Sequence, residues 1–219
     1  SDLVAARVGL KVCGVTRAED LRDCIELGVD AVGFNFWPKS KRFIDPLRTR
    51  KLLDAVGRTS AIQRVGVFVD APLREVEAAI ATLELDLIQP HGDAPVEPYA
   101  QLAGHWKVGW IWVIRGTPEL DRLVVPEPAP SWVLLDAAVA GYGGAGQTTD
   151  WDWAAAALQK LAPLPVWLAG GIDPSNAAQA IARVGPAGID VASGVETAPG
   201  CKSREAIASL RTICNNPQR

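Results

Sequence analysis

Two side chains able to move protons stand at the ends of short apolar runs in this sequence. Cys13 closes Leu10-Lys11-Val12-Cys13, and Asp136 follows Trp132-Val133-Leu134-Leu135. Only a few per cent of an unperturbed cysteine is thiolate at neutral pH, so a catalytic cysteine needs a cation beside it. Without one it reads as a small core residue. Lys11 lies two residues back, on the same face of a strand. Lys11 in turn needs a counter-charge, because a buried unpaired charge is costly. Asp190, within the apolar run Ile189-Asp190-Val191-Ala192, is the candidate. A carboxyl at the end of an apolar run is partly desolvated and holds its proton more tightly. Asp136 reads as such a carboxyl, or else as a cap for the loop beyond.

Other groups extend this set. Arg42 could grip a carboxylate through two parallel hydrogen bonds, or belong to a solvated basic loop with Lys39 and Lys41. His91 either lines the same mouth or bonds to backbone. Asp70 also ends an apolar run. Three glycine-rich turns, Gly143-Gly144-Ala145-Gly146, Ala169-Gly170-Gly171 and Ser193-Gly194, lack bulky side chains. Their N–H groups could approach an anion closely. Each alone reads as a tight turn; three together read as a phosphate site.

The elements that would carry these residues alternate along the whole chain. Strands are expected at 10–13, 31–36, 64–69, 85–89, 107–113, 132–135, 166–169 and 189–192. Most are apolar on both faces, as buried parallel strands are. Amphipathic stretches separate them, as in 18–27 and 73–83. Pro46, Pro72, Pro118 and Pro174 stand near helix starts. Asp150-Trp151 and Asp173-Pro174 look like caps, and Gly28 and Gly104 suit helix ends. Eight β–α units fit a doubly wound sheet or a closed barrel. The count of eight, the glycine turns after the seventh and eighth strands, and the absence of GxGxxG after the first favour an α/β (β/α)₈ barrel, one domain over residues 1–219. The reactive residues then share its C-terminal face.

Composition sets the outer limits. The 219 residues are 48% hydrophobic and 21% charged, ordinary for a globular chain. A net charge of -3 offers no basic surplus for nucleic acid. No apolar run approaches a bilayer-spanning length, and Ser1 to Val8 contains no signal-like apolar stretch. Cys13, Cys24, Cys201 and Cys214 form neither a disulfide framework nor metal-ligand spacing. The expectation is a protein of the reducing cytoplasm with no metal site.

Taken in order, the motifs resemble the phosphoribosylanthranilate isomerases. They are Lys11-Val12-Cys13-Gly14-Val15-Thr16, Gly33-Phe34-Asn35-Phe36 with Ser40-Lys41-Arg42, Val65-Gly66-Val67-Phe68-Val69, Gln89-Pro90-His91-Gly92, Leu134-Leu135-Asp136, Tyr142-Gly143-Gly144-Ala145-Gly146 with Asp150-Trp151, Leu168-Ala169-Gly170-Gly171-Ile172, and Asp190-Val191-Ala192-Ser193-Gly194-Val195-Glu196. The resemblance implies a cofactor-free TIM barrel of tryptophan biosynthesis that rearranges N-(5-phosphoribosyl)anthranilate to its 1-deoxyribulose 5-phosphate isomer. It implies Cys13 as base and Asp136 as acid. It places the anthranilate carboxylate near Arg42, with Lys11, His91 and Asp190 around the substrate. The phosphate is expected on Gly144, Gly146, Gly170, Gly171, Ser193 and Gly194. Pro90, Ala145 and Ser203 depart from the family's usual residues. The expected partner is this small phosphosugar alone, and the expected state a monomer or a homodimer. The alternatives are another phosphosugar isomerase or epimerase, and a non-catalytic barrel that binds a phosphoribosyl ligand.

Overall fold

The computed structural model describes residues 7–136 and 144–217, and of residues 144–150 only the helical backbone. Eight parallel strands close into a barrel: β1 (Gly9–Cys13), β2 (Ala31–Asn35), β3 (Gln63–Val69), β4 (Leu87–His91), β5 (Gly109–Arg115), β6 (Trp132–Asp136), β7 (Val166–Ala169) and β8 (Gly188–Val191). β8 pairs back onto β1, with Lys11 opposite Asp190. Closure excludes the doubly wound alternative. Pro90 sits buried inside β4 opposite Phe68 and leaves the β3–β4 pairing intact.

Around the barrel run α1 (Ala18–Glu26), α2 (Pro46–Val56), α3 (Leu73–Leu83), α4 (Glu97–His105), α5 (Gly144–Leu161), α6 (Ala177–Val184) and α7 (Arg204–Asn215). Asp45 caps α2 by accepting from the Arg48 N–H at 2.7 Å, with Pro46 in the first turn. Ser203 caps α7 through the Ala206 N–H at 3.2 Å, so this departure keeps the cap. A short antiparallel hairpin, β9 (Glu196–Ala198) and β10 (Cys201–Lys202), joins β8 to α7.

Several local expectations are corrected. Pro118 precedes only a 3₁₀ turn, Leu120–Arg122, because the prolines from Pro126 to Pro130 crowd the connection to β6. Asp150 does not start a helix, since α5 is already helical at Gly144. Asp173 accepts from the Ser175 and Asn176 N–H groups at 2.8 and 3.2 Å, so it caps a turn, and α6 begins only at Ala177. Gly104 lies inside α4, whereas Gly28 follows α1 with φ +71°, where glycine avoids the Cβ clash.

Strand alternation sorts the core into two shells. Outward residues such as Leu10, Val12, Val32, Ile88, Val133, Leu135 and Ile189 pack under the helices. Ala31, Val65, Leu87, Ile111, Trp132, Leu134 and Trp167 fill the barrel interior. Trp132 and Trp167 stack at 4.6 Å near its floor. A Cβ on Gly188 or Gly9 would lie 2.3 or 2.6 Å from the Trp167 ring, so both glycines make room for it. The apolar floor leaves the inward polar positions to the upper layers. Among the described residues no helix is long and apolar enough to cross a membrane.

Candidate active site

The C-terminal ends of the strands surround a cavity of about 420 Å³, a size suited to a small ligand. Its wall includes Cys13 from β1, Gln89 and His91 from β4, Arg115 from β5, Asp136 from β6 and Asp190 from β8. Gly170, Gly171, Ser193 and Gly194 line it from the loops after β7 and β8. The inward alternation that sets the floor also sets this wall: Gln89 and His91, and Leu134 and Asp136, are two residues apart, and Lys11 lies two residues before Cys13, buried outside the lining.

Lys11 is fully buried, and its Nζ donates to Asp190 Oδ2 at 2.8 Å. Burial opposes the charge on Lys11, but the attractions of Asp190 and Cys13 outweigh it and raise its pKa. Lys11 thus stays an ammonium. Asp190 Oδ1 has no hydrogen-bond partner among the described residues, so one lone-pair face beside the cavity is unused.

Lys11 favours the Cys13 thiolate, but burial has the larger effect. Burial pushes the thiol above its ordinary value of 9.0, despite the opposing pull of Lys11 and Lys202, and Asp190 adds to the rise. Resting Cys13 is therefore a thiol whose conjugate base is strong. Gly33 makes space for it: a Cβ there would stand 2.7 Å from the sulfur.

Burial also depresses His91, to about 4, with Lys11 and Arg115 adding to the effect. The imidazole is neutral near pH 7, with its Nε2 2.9 Å from Gln89 Nε2. Gln89 Oε1 lacks a partner among the described residues. Asp70 stands apart in role: it accepts from the Ala94 N–H at 2.8 Å and shapes a loop.

Arg42 lies outside the cavity lining, with its stem packed over Gly14. Its Nε and Nη2 bind both oxygens of Glu196 at 2.6–3.0 Å. A solvated basic loop does not describe it. Neither Arg115 nor Gln89 stands out in the sequence as a site residue. Counting back two residues from His91 finds Gln89; Arg115, at the end of its strand, gives no signal apart from its charge.

The glycine turns expected to hold phosphate lie only partly within the described residues. Gly170 and Gly171 adopt φ of +97° and +67°, which favours glycine. At Gly194 a Cβ would come within 2.0 Å of the Ile172 carbonyl oxygen, so the loops after β7 and β8 touch backbone to backbone. Gly194→Ala is expected to separate these loops and raise the Kd for a phosphorylated ligand by at least about tenfold, a modest loss for a displaced anion site. Isothermal titration would measure it, and an unchanged Kd would show that the turn does not hold phosphate. Gly141 to Gly143 lie outside the described residues. Gly144 and Gly146 belong to the α5 backbone, and their placement against the cavity lies outside what is described. Among the described residues no group of three His, Cys, Asp or Glu side chains could hold a metal.

A model of the N-(5'-phosphoribosyl)anthranilate isomerase family matches residues 10–212. The chain belongs to the phosphoribosylanthranilate isomerase family. An N-(5'-phosphoribosyl)anthranilate isomerase of Geobacter sp. (strain M21) is 40% identical over 199 residues, covering 90% of this chain and 93% of the relative. The crystal structure of the Thermotoga maritima isomerase superposes with a TM-score of 0.80 at 32% identity, covering 94% of this chain and 98% of that one. A second isomerase structure, in complex with reduced 1-(o-carboxyphenylamino)-1-deoxyribulose 5-phosphate, gives a TM-score of 0.77 at 30% identity, with 94% and 98% covered. Family membership fits the strand-end constellation, in which a thiol and a carboxyl border one cavity with two glycine loops.

Proposed function

We propose that this member of the family isomerises N-(5'-phosphoribosyl)anthranilate in tryptophan biosynthesis, with Asp136 as general acid and Cys13 as general base. The observation that carries the reading is their shared placement on the rim of one cavity, beside the loops after β7 and β8. Asp136 protonates the furanose ring oxygen as the C1′–O bond breaks, leaving an iminium at C1′. Cys13, in its thiolate form, removes the C2′ proton, and the C–H electrons form an enolamine. Reprotonation at C1′ with loss of the enol proton gives the ketone. Each such proton-transfer group contributes roughly 10²- to 10⁴-fold.

The surrounding residues support the two ends of this substrate. Gly170, Gly171, Ser193 and Gly194 receive the phosphate. Asp190 Oδ1 accepts from a sugar hydroxyl, and neutral His91 lines the same wall. Arg42 meets the anthranilate carboxylate through Nη1, the nitrogen that Glu196 does not engage. The proposed state is a monomer working in the cytoplasm, with a homodimer as the alternative.

The test is Asp136→Asn. This variant should bind the reduced product analogue within a few-fold of wild type while its kcat falls by roughly 10²-fold or more. A rate close to wild type would remove Asp136 from the acid role.

A further inference from the structure

The β9–β10 hairpin holds a buried ionic cluster that proton transfer does not use. Glu196 has a side chain only 4% exposed. It accepts from Arg42 Nε and Nη2, from the Gly200 N–H at 3.0 Å and from Lys202 Nζ at 3.0 Å, and both of its oxygens meet the Arg42 Nε. Burial would push this carboxyl up, but the bonds from Arg42 and Lys202 hold it below its ordinary value. Lys202, fully buried, also donates to the Cys13 carbonyl at 2.5 Å and the Ala192 carbonyl at 3.3 Å. One ammonium therefore ties the backbone of the thiol residue to the residue before the Ser193–Gly194 turn.

The hairpin is itself fastened to the loop after β1. Thr16 Oγ1 donates to the Gly200 carbonyl at 2.6 Å, and the Lys202 N–H donates to Asp20 Oδ2 at 3.0 Å. Arg17 grips the same carboxylate at 2.8 and 3.0 Å. Buried ion pairs are weak contributors to stability, because desolvation offsets their attraction. Geometry is the stronger reason for this one. Glu196 occupies the Nε–Nη2 edge of Arg42 and fixes the plane of its guanidinium; a planar fork fixed in this way binds a second carboxylate with less loss of freedom.

We infer that Glu196 is a positioning residue for the isomerisation, orienting Arg42 for the anthranilate carboxylate. The inference rests on the reading of Arg42 as that carboxylate's anchor.

Steady-state kinetics on the full chain test it, with Glu196→Gln, Arg42→Ala and their combination. Glu196→Gln should raise KM at least about tenfold, the worth of one charge-assisted hydrogen bond, and lower kcat less. The double variant should show a KM within about twofold of Arg42→Ala alone, since both changes remove one interaction. A merely structural role would lower kcat through lost active protein without moving KM. Glu196→Gln with wild-type KM, or effects that multiply in the double variant, would overturn the inference. Should Glu196→Gln fail to fold, Glu196→Asp keeps the charge but shortens the reach; a several-fold rise in KM supports the inference and an unchanged KM overturns it. Wild-type protein with no turnover would instead overturn the isomerase reading, and the inference with it.

Discussion

Cys13→Ser is expected to lower kcat by roughly 10²- to 10⁴-fold, the usual worth of a general base, while KM stays near wild type. A serine hydroxyl fills nearly the same space beside Gly33 but cannot ionise near neutral pH. With Cys13 as the proposed base, the thiol also sets the expected pH dependence. Burial holds Cys13 above its ordinary value of 9.0, against the opposing influence of Lys11 and Lys202. Only the thiolate removes a proton, so kcat/KM should climb with pH, and its rising limb should lie on the alkaline side of 9.0. A pH–rate profile reads the pKa of the free enzyme's essential base in kcat/KM. A profile flat from neutral to strongly alkaline pH would mean that Cys13 does not supply the base.

Lys11→Met destabilises the fold by roughly 3–5 kcal/mol, because it strands the Asp190 carboxylate in a buried site. The pair is 2.8 Å apart, with side-chain exposures of 0% and 7%. Asp190 Oδ1 already has no hydrogen-bond partner among the described residues, so little remains to solvate the charge. Thermal unfolding should fall by roughly 10 °C for a chain of this size. Lys11→Met with Asp190→Asn should recover much of the loss, since neither charge is then left unpaired. The same substitution removes the cation with the largest pull toward the Cys13 thiolate. The alkylation midpoint of Cys13 should therefore move to higher pH. A variant with unchanged melting temperature and unchanged midpoint would separate Lys11 from both roles.

The Lys11–Asp190 pair is legible in the sequence, because charges inside apolar strands have few ways to be satisfied. Closure of the barrel brings β8 beside β1 and sets the two residues opposite one another. The strands are legible for the same reason of burial, although β4 and β5 begin two residues later than their apolar runs. Leu85 and Lys107 precede them, and apolar or mixed character does not mark where the ladder starts. The long proline-rich connection conceals a 3₁₀ turn where a helix is expected, since one proline near a helix start and several around it look alike in a local window.

The site is less legible than the fold where tertiary depth decides. The pull of Lys11 on Cys13 follows from strand alternation, but the larger effect of burial depends on how neighbouring strands enclose the sulfur. Glu196 lies 154 residues from Arg42, and nothing in either local sequence marks them as partners. His91 illustrates the same limit: two cations from other strands, Lys11 and Arg115, add to the burial that keeps it neutral. The glycines after β7 and β8 are readable because a missing side chain is itself a local signal.

The most direct measurement is turnover of freshly generated phosphoribosylanthranilate by the wild-type protein, followed through loss of anthranilate fluorescence, with the product compared against authentic 1-(2-carboxyphenylamino)-1-deoxyribulose 5-phosphate. The isomerase reading expects rapid, saturable loss of fluorescence yielding that ketose without added metal or cofactor. Folded protein that leaves the substrate untouched, or yields a different product, would contradict it.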